Sequence, residues 1–291
     1  MQAENRARYA ERIERAIALL ERNASAGGTT SIDELASAAA LSPYHFHRIF
    51  RLMTGETVGA AVSRIRIGGS LHLLDRSIPD AVAQSGYGTS QAFARAVKNQ
   101  TGLTPSALQK DAQLRGEIGM SLAVSDGAGG GRPPLSIIMT SVTPLVLAAI
   151  RNVGDYKELN GGFGQLVECI AQQIDPQSIT GLYGIPYDDP HDVEPSKCRF
   201  DCAVSVEVEV KPQGRLSVLQ IAGGPALRMV HNGDYDDIHE NLDVLYAAVV
   251  YADLSVSNRP LLIHYLDDPE GVPVEKLRAE IFLPLDVQTK Q

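Results

Sequence analysis

Residues 135–210 and 216–291 repeat one pattern, and this duplication constrains the fold more than any other feature of the chain. Gly154-Asp155-Tyr156 returns as Gly233-Asp234-Tyr235, and Asp188-Asp189-Pro190 returns as Asp267-Asp268-Pro269, both at an offset of 79. Lys197, Arg199 and Asp201 return at the same offset of 79 as Lys276, Arg278 and Glu280. Three matches in one register mark duplicated structural units. Each copy reads as a strand (145–153; 225–232), a turn at the G-D-Y triplet and a helix (158–174; 238–252). Two further strands then flank the D-D-P turn (179–187 and 198–208; 260–266 and 277–285). The expectation is an α+β domain of antiparallel strands made of two pseudo-symmetric β-α-β-β units.

The repeat also decides what two of the three cysteines are for. Cys198 and Cys202 have a C-x-x-x-C spacing that invites a metal or redox reading. In an extended strand, however, alternate residues share a face. Cys198, Phe200, Cys202, Val204, Val206 and Val208 then form one apolar face, with Arg199, Asp201 and Glu207 on the other. The second copy places Leu277 and Ile281 where the first has Cys198 and Cys202. A position that takes Leu or Ile is a packing position, where a free cysteine acts as a small hydrophobe. His45 and His47 do not converge on a helix either, so no metal site is expected.

Ahead of the repeat, residues 116–134 (GEIGMSLAVSDGAGGGRPP) have the Gly, Ser and Pro content of a linker. Charge divides at the same place: residues 1–115 carry 14 Lys+Arg against 10 Asp+Glu, while residues 116–291 carry 12 against 25. A positive front half and a strongly negative back half suit a polyanion partner for the former only. No apolar run is long enough to span a membrane, the N-terminus has no signal-peptide core, and three cysteines make no disulfide framework. A cytoplasmic protein is expected.

Residues 1–115 read as helix almost throughout. Ser42 and Pro43 suit the N-cap and first position of a helix that Gly55 ends. Its apolar stripe is Phe46, Ile49, Phe50 and Met53, and Tyr44, His47, Arg48 and Arg51 share another face. A short helix precedes it. The arrangement recurs after a connecting helix near 57–76: a short helix, a Gly-rich turn, and a helix capped near Thr89 or Ser90. There Phe93, Ala96 and Val97 form the apolar side, with Gln91, Arg95 and Lys98 opposite. The fold expected is multi-domain, with an all-α double helix-turn-helix domain over 1–115, a linker over 116–134 and the α+β domain over 135–291.

The segments LASAAALSPYHFHRIFRLMTGET and SGYGTSQAFARAVKNQTGLTPSAL resemble the AraC/XylS family of transcription regulators over about residues 10–111. The resemblance implies that two recognition helices of one chain enter successive major-groove segments of double-stranded DNA. Carried over by position, the base readers are Tyr44, His47 and Arg48 in the first helix and Ser90, Gln91 and Arg95 in the second; Arg51 and Lys98 lie on the same faces. The chain departs from the family at Gly68-Gly69 in the connecting helix and at Ala81, Val97 and Leu108, which lighten the second core. DNA contact is therefore expected more from the first unit than from the second.

The segments VHNGDYDDIHENLDVLY, HYLDDP and AEIFLPL resemble the GyrI-like small-molecule-binding domain. The resemblance implies a cleft between the two units that binds a cationic or aromatic small molecule. It implies that Glu280 in the last strand is the acidic contact, with Tyr156, Tyr183, Tyr235 and Tyr265 as flat walls. Together the two resemblances imply a ligand-responsive, sequence-specific transcription regulator whose partners are promoter DNA, a small-molecule effector and RNA polymerase. Two alternatives stand beside it: a GyrI-like hydrolase of strained electrophiles with Glu280 as general base, or a module that sequesters a protein such as a topoisomerase. No nucleophile–base–orienter set is visible, so no enzyme and no cofactor are expected. The oligomeric state stays open.

Overall fold

A computed structural model describes residues 2–26, 28–123, 137–252 and 254–286. Its contacts divide the chain into two units, residues 7–129 and residues 130–291 together with 1–6.

In the first unit, α1 (Gln2–Ser25) is followed by α2 (Ile32–Ala38) and α3 (Pro43–Thr54), then α4 (Val58–Leu71), α5 (Ile78–Ser85) and α6 (Ser90–Thr101). Two more helices, α7 (Pro105–Lys110) and α8 (Ala112–Ala123), close it. The boundaries follow the capping chemistry. The Ser42 side chain accepts from His45 N–H, Pro43 opens α3, and Gly55 ends it in the left-handed region at φ 79°. Thr89 caps α6 by accepting from Ala92 N–H, and Gly102 ends that helix at φ 74°. Two helix-turn-helix units, α2–α3 and α5–α6, are thus joined by α4.

Ala81, Val97 and Leu108 are fully buried with Ile67, Leu74 and Phe93. The small side chains expected to lighten this core are offset by a helix that the linker reading missed. Residues 116–123 belong to α8, so the proposed linker begins too early; residues 124–134 lie outside the described residues. Leu114, Ile118 and Leu122 recur every four residues and pack on that core. Arg64 of α4 holds the helix in place, donating to Leu122 O at 2.6 Å while pairing with Glu56 at 2.7 Å. The glycines at 116 and 119 masked a helical period that packing stabilises.

In the second unit the strands are β1 (Ile137–Val142), β2 (Leu145–Val153), β3 (Ile179–Pro186) and β4 (Arg199–Val206), then β5 (Leu216–Ile221), β6 (Gly224–Asn232), β7 (Leu262–Tyr265) and β8 (Arg278–Pro284). Helix α9 (Leu159–Ala171) follows β2, and α10 (Ile238–Tyr251) follows β6. All eight strands form one antiparallel sheet in the order β1-β6-β8-β7-β3-β4-β2-β5. The two halves meet where β3 pairs β7, through Leu182↔Tyr265, Tyr183↔His264 and Gly184↔Ile263.

Each copy therefore carries one strand more than the β-α-β-β reading allowed. β5 begins and ends 79 residues after β1, as β6 does after β2. The added strands are exchanged: β1 pairs β6 of the other copy, and β5 pairs β2. Short segments without strong alternation give little local sign of a strand, and a partner in the other copy gives none at all.

Candidate functional site

The two copies enclose a cavity of about 790 Å³ between α9, α10 and the middle of the sheet. Its floor is Leu182, Ile263 and Tyr265 from the central strands, and its α9 wall is Leu159, Phe163, Gly164 and Val167. The Tyr265 ring meets Phe163 edge-on at 5.6 Å between centroids and Tyr235 at 4.8 Å. Across the cavity, Tyr156 stacks on His239 of α10 at 4.6 Å and 28°.

The repeated motifs explain why these rings stand where they do. The Tyr156 hydroxyl lies 2.9 Å from Asp188 O and 2.8 Å from Arg199 O; the Tyr235 hydroxyl lies 2.9 Å from Asp267 O and 2.8 Å from Arg278 O. Arg199 grips Asp188 with both its Nε and its Nη2 at 2.8 Å, and Arg278 grips Asp267 likewise at 2.9 Å. Each G-D-Y tyrosine thus pins its own D-D-P turn to its own last strand. With the hydroxyls committed, the ring faces are what remains for a ligand. Burial raises the Tyr265 and Tyr235 hydroxyls above the ordinary phenol range, so both remain neutral near pH 7.

The charge around this space is one-sided. Eight carboxylates line it and one lysine, Lys157. Four of the acids, Asp234, Asp236, Asp237 and Glu240, come from the start of α10 and the turn before it. Asp236 is held above the ordinary aspartate range, first by loss of solvation and then by Asp234, with Lys157 opposing. Lys157 is the copy-one counterpart of Asp236, at an offset of 79.

Glu280 is elsewhere. Cross-strand partners share a face of the sheet, and Glu280 stands opposite His264, which stands opposite Tyr183. Cys202, on the alternate positions, lies against α9, its thiol 3.8 Å from Leu159 O. Glu280 and Tyr183 therefore belong to the sheet face turned away from the helices and from the cavity, and the expectation that they meet ligand there is corrected. Arg228 donates to Glu280 at 2.8 Å, His264 Nδ1 lies 3.9 Å from its other oxygen, and the His264 ring stacks on Tyr183 at 4.5 Å. Burial holds His264 below the usual imidazole range, with Glu280 opposing. The copy-one counterpart Asp201 is likewise engaged on that face, accepting from Arg151 and from the Tyr187 hydroxyl at 2.8 Å.

Strand alternation carried the signal for this correction. It puts Glu280 in phase with Arg278 and Phe282 and out of phase with Ile281. The acids that do reach the cavity had signals too: the run D-Y-D-D-I-H-E at 234–240 and the D-D-P turn.

In the N-terminal unit, Ser90, Gln91, Arg95 and Lys98 are exposed along α6. On α3, Tyr44, His47 and Arg48 are buried at 7, 5 and 1% exposure and Arg51 is half-buried. The Arg48 guanidinium lies 5.5 Å from the Tyr44 ring centroid.

The family model of a GyrI-like small molecule binding domain matches residues 136–286. The chain belongs to the GyrI-like family. A helix-turn-helix domain model matches residues 35–111, so the GyrI-like domain follows an AraC-type domain. The chain is 36% identical over 88 residues to the HTH-type transcriptional regulator Rv1931c of Mycobacterium tuberculosis, across 29% of this chain and 34% of that one. It is 28% identical over 115 residues to the probable transcriptional regulator YgiV of Escherichia coli, across 38% and 71%. With the transcriptional regulator Rob of Salmonella typhimurium it shares 31% over 110 residues, across 37% and 34%. The matches thus span about a third of the length of the first and third of these relatives. The crystal structure of the EcmrR C-terminal domain is 15% identical with a TM-score of 0.44, across 53% of this chain and 98% of that one.

Two of the three cysteines of the GyrI-like domain are core. Cys198 and Cys202 are 1 and 0% exposed, and burial pushes their thiols up to about 11 and about 12. Among the described residues no group of three metal-ligating side chains stands together. Because the thiolate is the reactive form, both cysteines are expected to resist iodoacetamide in the native protein at pH 8, while half-buried Cys169 reacts first. Peptide mass mapping would expose the error if Cys198 or Cys202 were labelled first. No helix among the described residues is long and apolar enough to cross a membrane.

Proposed function

We propose that this chain is a ligand-responsive, sequence-specific DNA-binding regulator of transcription whose GyrI-like cavity takes an organic cation with an aromatic or apolar body. Promoter DNA and RNA polymerase are its macromolecular partners in this reading. The observation that carries it is the combination of tyrosine faces with eight carboxylates and one lysine around 790 Å³. A cation entering such a site exchanges water for ring faces and for the field of the acids. Isothermal titration with methyltriphenylphosphonium and with neutral triphenylphosphine oxide tests it. The cation is expected to bind and the neutral analogue not; equal binding, or none of either, would end the reading.

A binding role is favoured over a hydrolytic one because Glu280, the general base that hydrolysis would use, is paired with Arg228 on the far face of the sheet.

For the DNA-binding half, Arg95 is the side chain best placed to read a base edge, being cationic, exposed and on the same face as Gln91. Arg95→Ala is expected to weaken binding to a duplex selected in vitro by about 1–3 kcal/mol and to relax preference at one base pair. Lys98→Ala should instead lower affinity for all sequences and flatten the salt dependence. Mobility-shift titrations at several salt concentrations distinguish them. Identical affinity and preference in Arg95→Ala would remove α6 from base reading.

A further inference from the structure

The duplicated halves differ on the cavity-facing side of α9, and that difference bears on which ligands fit. This inference rests on the effector reading above. Position 164 is glycine in α9, whereas its counterpart in α10, at an offset of 79, is Asp243. Phe163 and Val167, on the same helical face, line the cavity on either side of Gly164. A Cβ built at Gly164 meets nothing within 4 Å. No close packing requires a glycine there, and the backbone is regular helix, where glycine costs about 0.8–1 kcal/mol relative to alanine. The α10 wall opposite supplies Glu240 and His239.

We infer that Gly164 is a size-selecting residue of the effector site. The missing side chain leaves room for the apolar bulk of a cation to lie against α9, between Phe163 and Val167, while its charge faces the acids at the start of α10. The cavity is then bipolar, apolar and open on the α9 side and acidic on the other. A bulky multi-ring cation fits this arrangement better than a compact one, because a ligand with a single ring leaves the space over Gly164 unfilled. A leucine at 164 would occupy that space with four carbons and would leave the acidic side untouched.

The test compares Gly164→Leu and Gly164→Ala with the wild-type full chain by calorimetry, using methyltriphenylphosphonium as the bulky cation and benzyltrimethylammonium as the compact one. Gly164→Leu is expected to lower affinity for the bulky cation at least tenfold and to change that for the compact one less than threefold. Gly164→Ala should fall between. Both helix variants gain helix propensity, and far-UV circular dichroism and thermal melting establish that they are folded. Equal losses for both cations in Gly164→Leu, or no loss for either, would overturn the inference while leaving the effector reading in place. Failure of the wild type to bind either cation would instead remove the effector reading, and this inference with it.

Discussion

Asp236→Asn lowers the affinity for methyltriphenylphosphonium by about 3- to 10-fold, and Lys157→Met raises it by a similar factor, since a unit charge about 4 Å away is worth about 1 kcal/mol even in water. The opposed signs are what make the pair informative. Asp236 and Lys157 are counterparts in the two copies, both line the cavity, and Lys157 partly offsets the carboxylates around Asp236. Loss of solvation and the neighbouring Asp234 raise the Asp236 carboxyl above the ordinary aspartate range. A raised carboxyl stabilises the free protein below its unfolded value, and that contribution is lost as pH rises through the folded value. A bound cation favours the ionised form, so the affinity of the wild type should fall as pH is lowered through this titration. The acid limb should shrink and move to lower pH in Asp236→Asn, where the remaining carboxylates of the cavity carry it. Titrations at several pH values with the same cation decide the matter: unchanged affinity in both variants, with an unchanged pH profile, would show that cavity charge does not select the ligand.

Gly184→Ala destabilises the GyrI-like domain by about 1–3 kcal/mol, the usual cost of forcing a methyl group into a filled core. A Cβ at this position would stand 2.4 Å from Phe200 Cζ and 3.0 Å from the Tyr265 hydroxyl. Neither neighbour can retreat easily. Phe200 is buried and packs edge-on against Tyr156 at 5.3 Å, and Tyr265 is wedged between Phe163 and Tyr235. The same substitution should therefore disturb the cavity floor and weaken cation binding. Denaturant unfolding followed by tyrosine fluorescence, alongside the cation titration, measures both. A Gly184→Ala protein as stable as the wild type would mean that the Phe200 ring has room the structure does not show. The other copy has solved the same packing with the volumes exchanged: Ile263 and Ala279 stand where the first copy has Gly184 and Phe200.

Much of this could be read along the chain. The G-D-Y and D-D-P triplets located both copies, and in the structure each tyrosine pins its own turn. Ser42, Gly55 and Thr89 marked helix ends that the structure keeps. Strand alternation made Cys198 and Cys202 core, which their burial agrees with. Other features were present in the sequence and misread. Leu114, Ile118 and Leu122 gave the period of α8, but glycines and the Ser/Pro-rich stretch behind them suggested a linker. The alternation that assigns the cysteines also separates Glu280 from the cavity face, whereas the family resemblance places an acid in the cleft by position alone.

The sequence by itself determined the elements, their ends and their duplication, because caps, turns and hydrophobic periods act between residues a few positions apart. Only the tertiary structure decided the exchange of β1 and β5, the side of the sheet that the helices cover, and hence that the acids of α10 rather than Glu280 face the cavity. Those outcomes depend on which distant surfaces bury each other, and no local pattern carries that information.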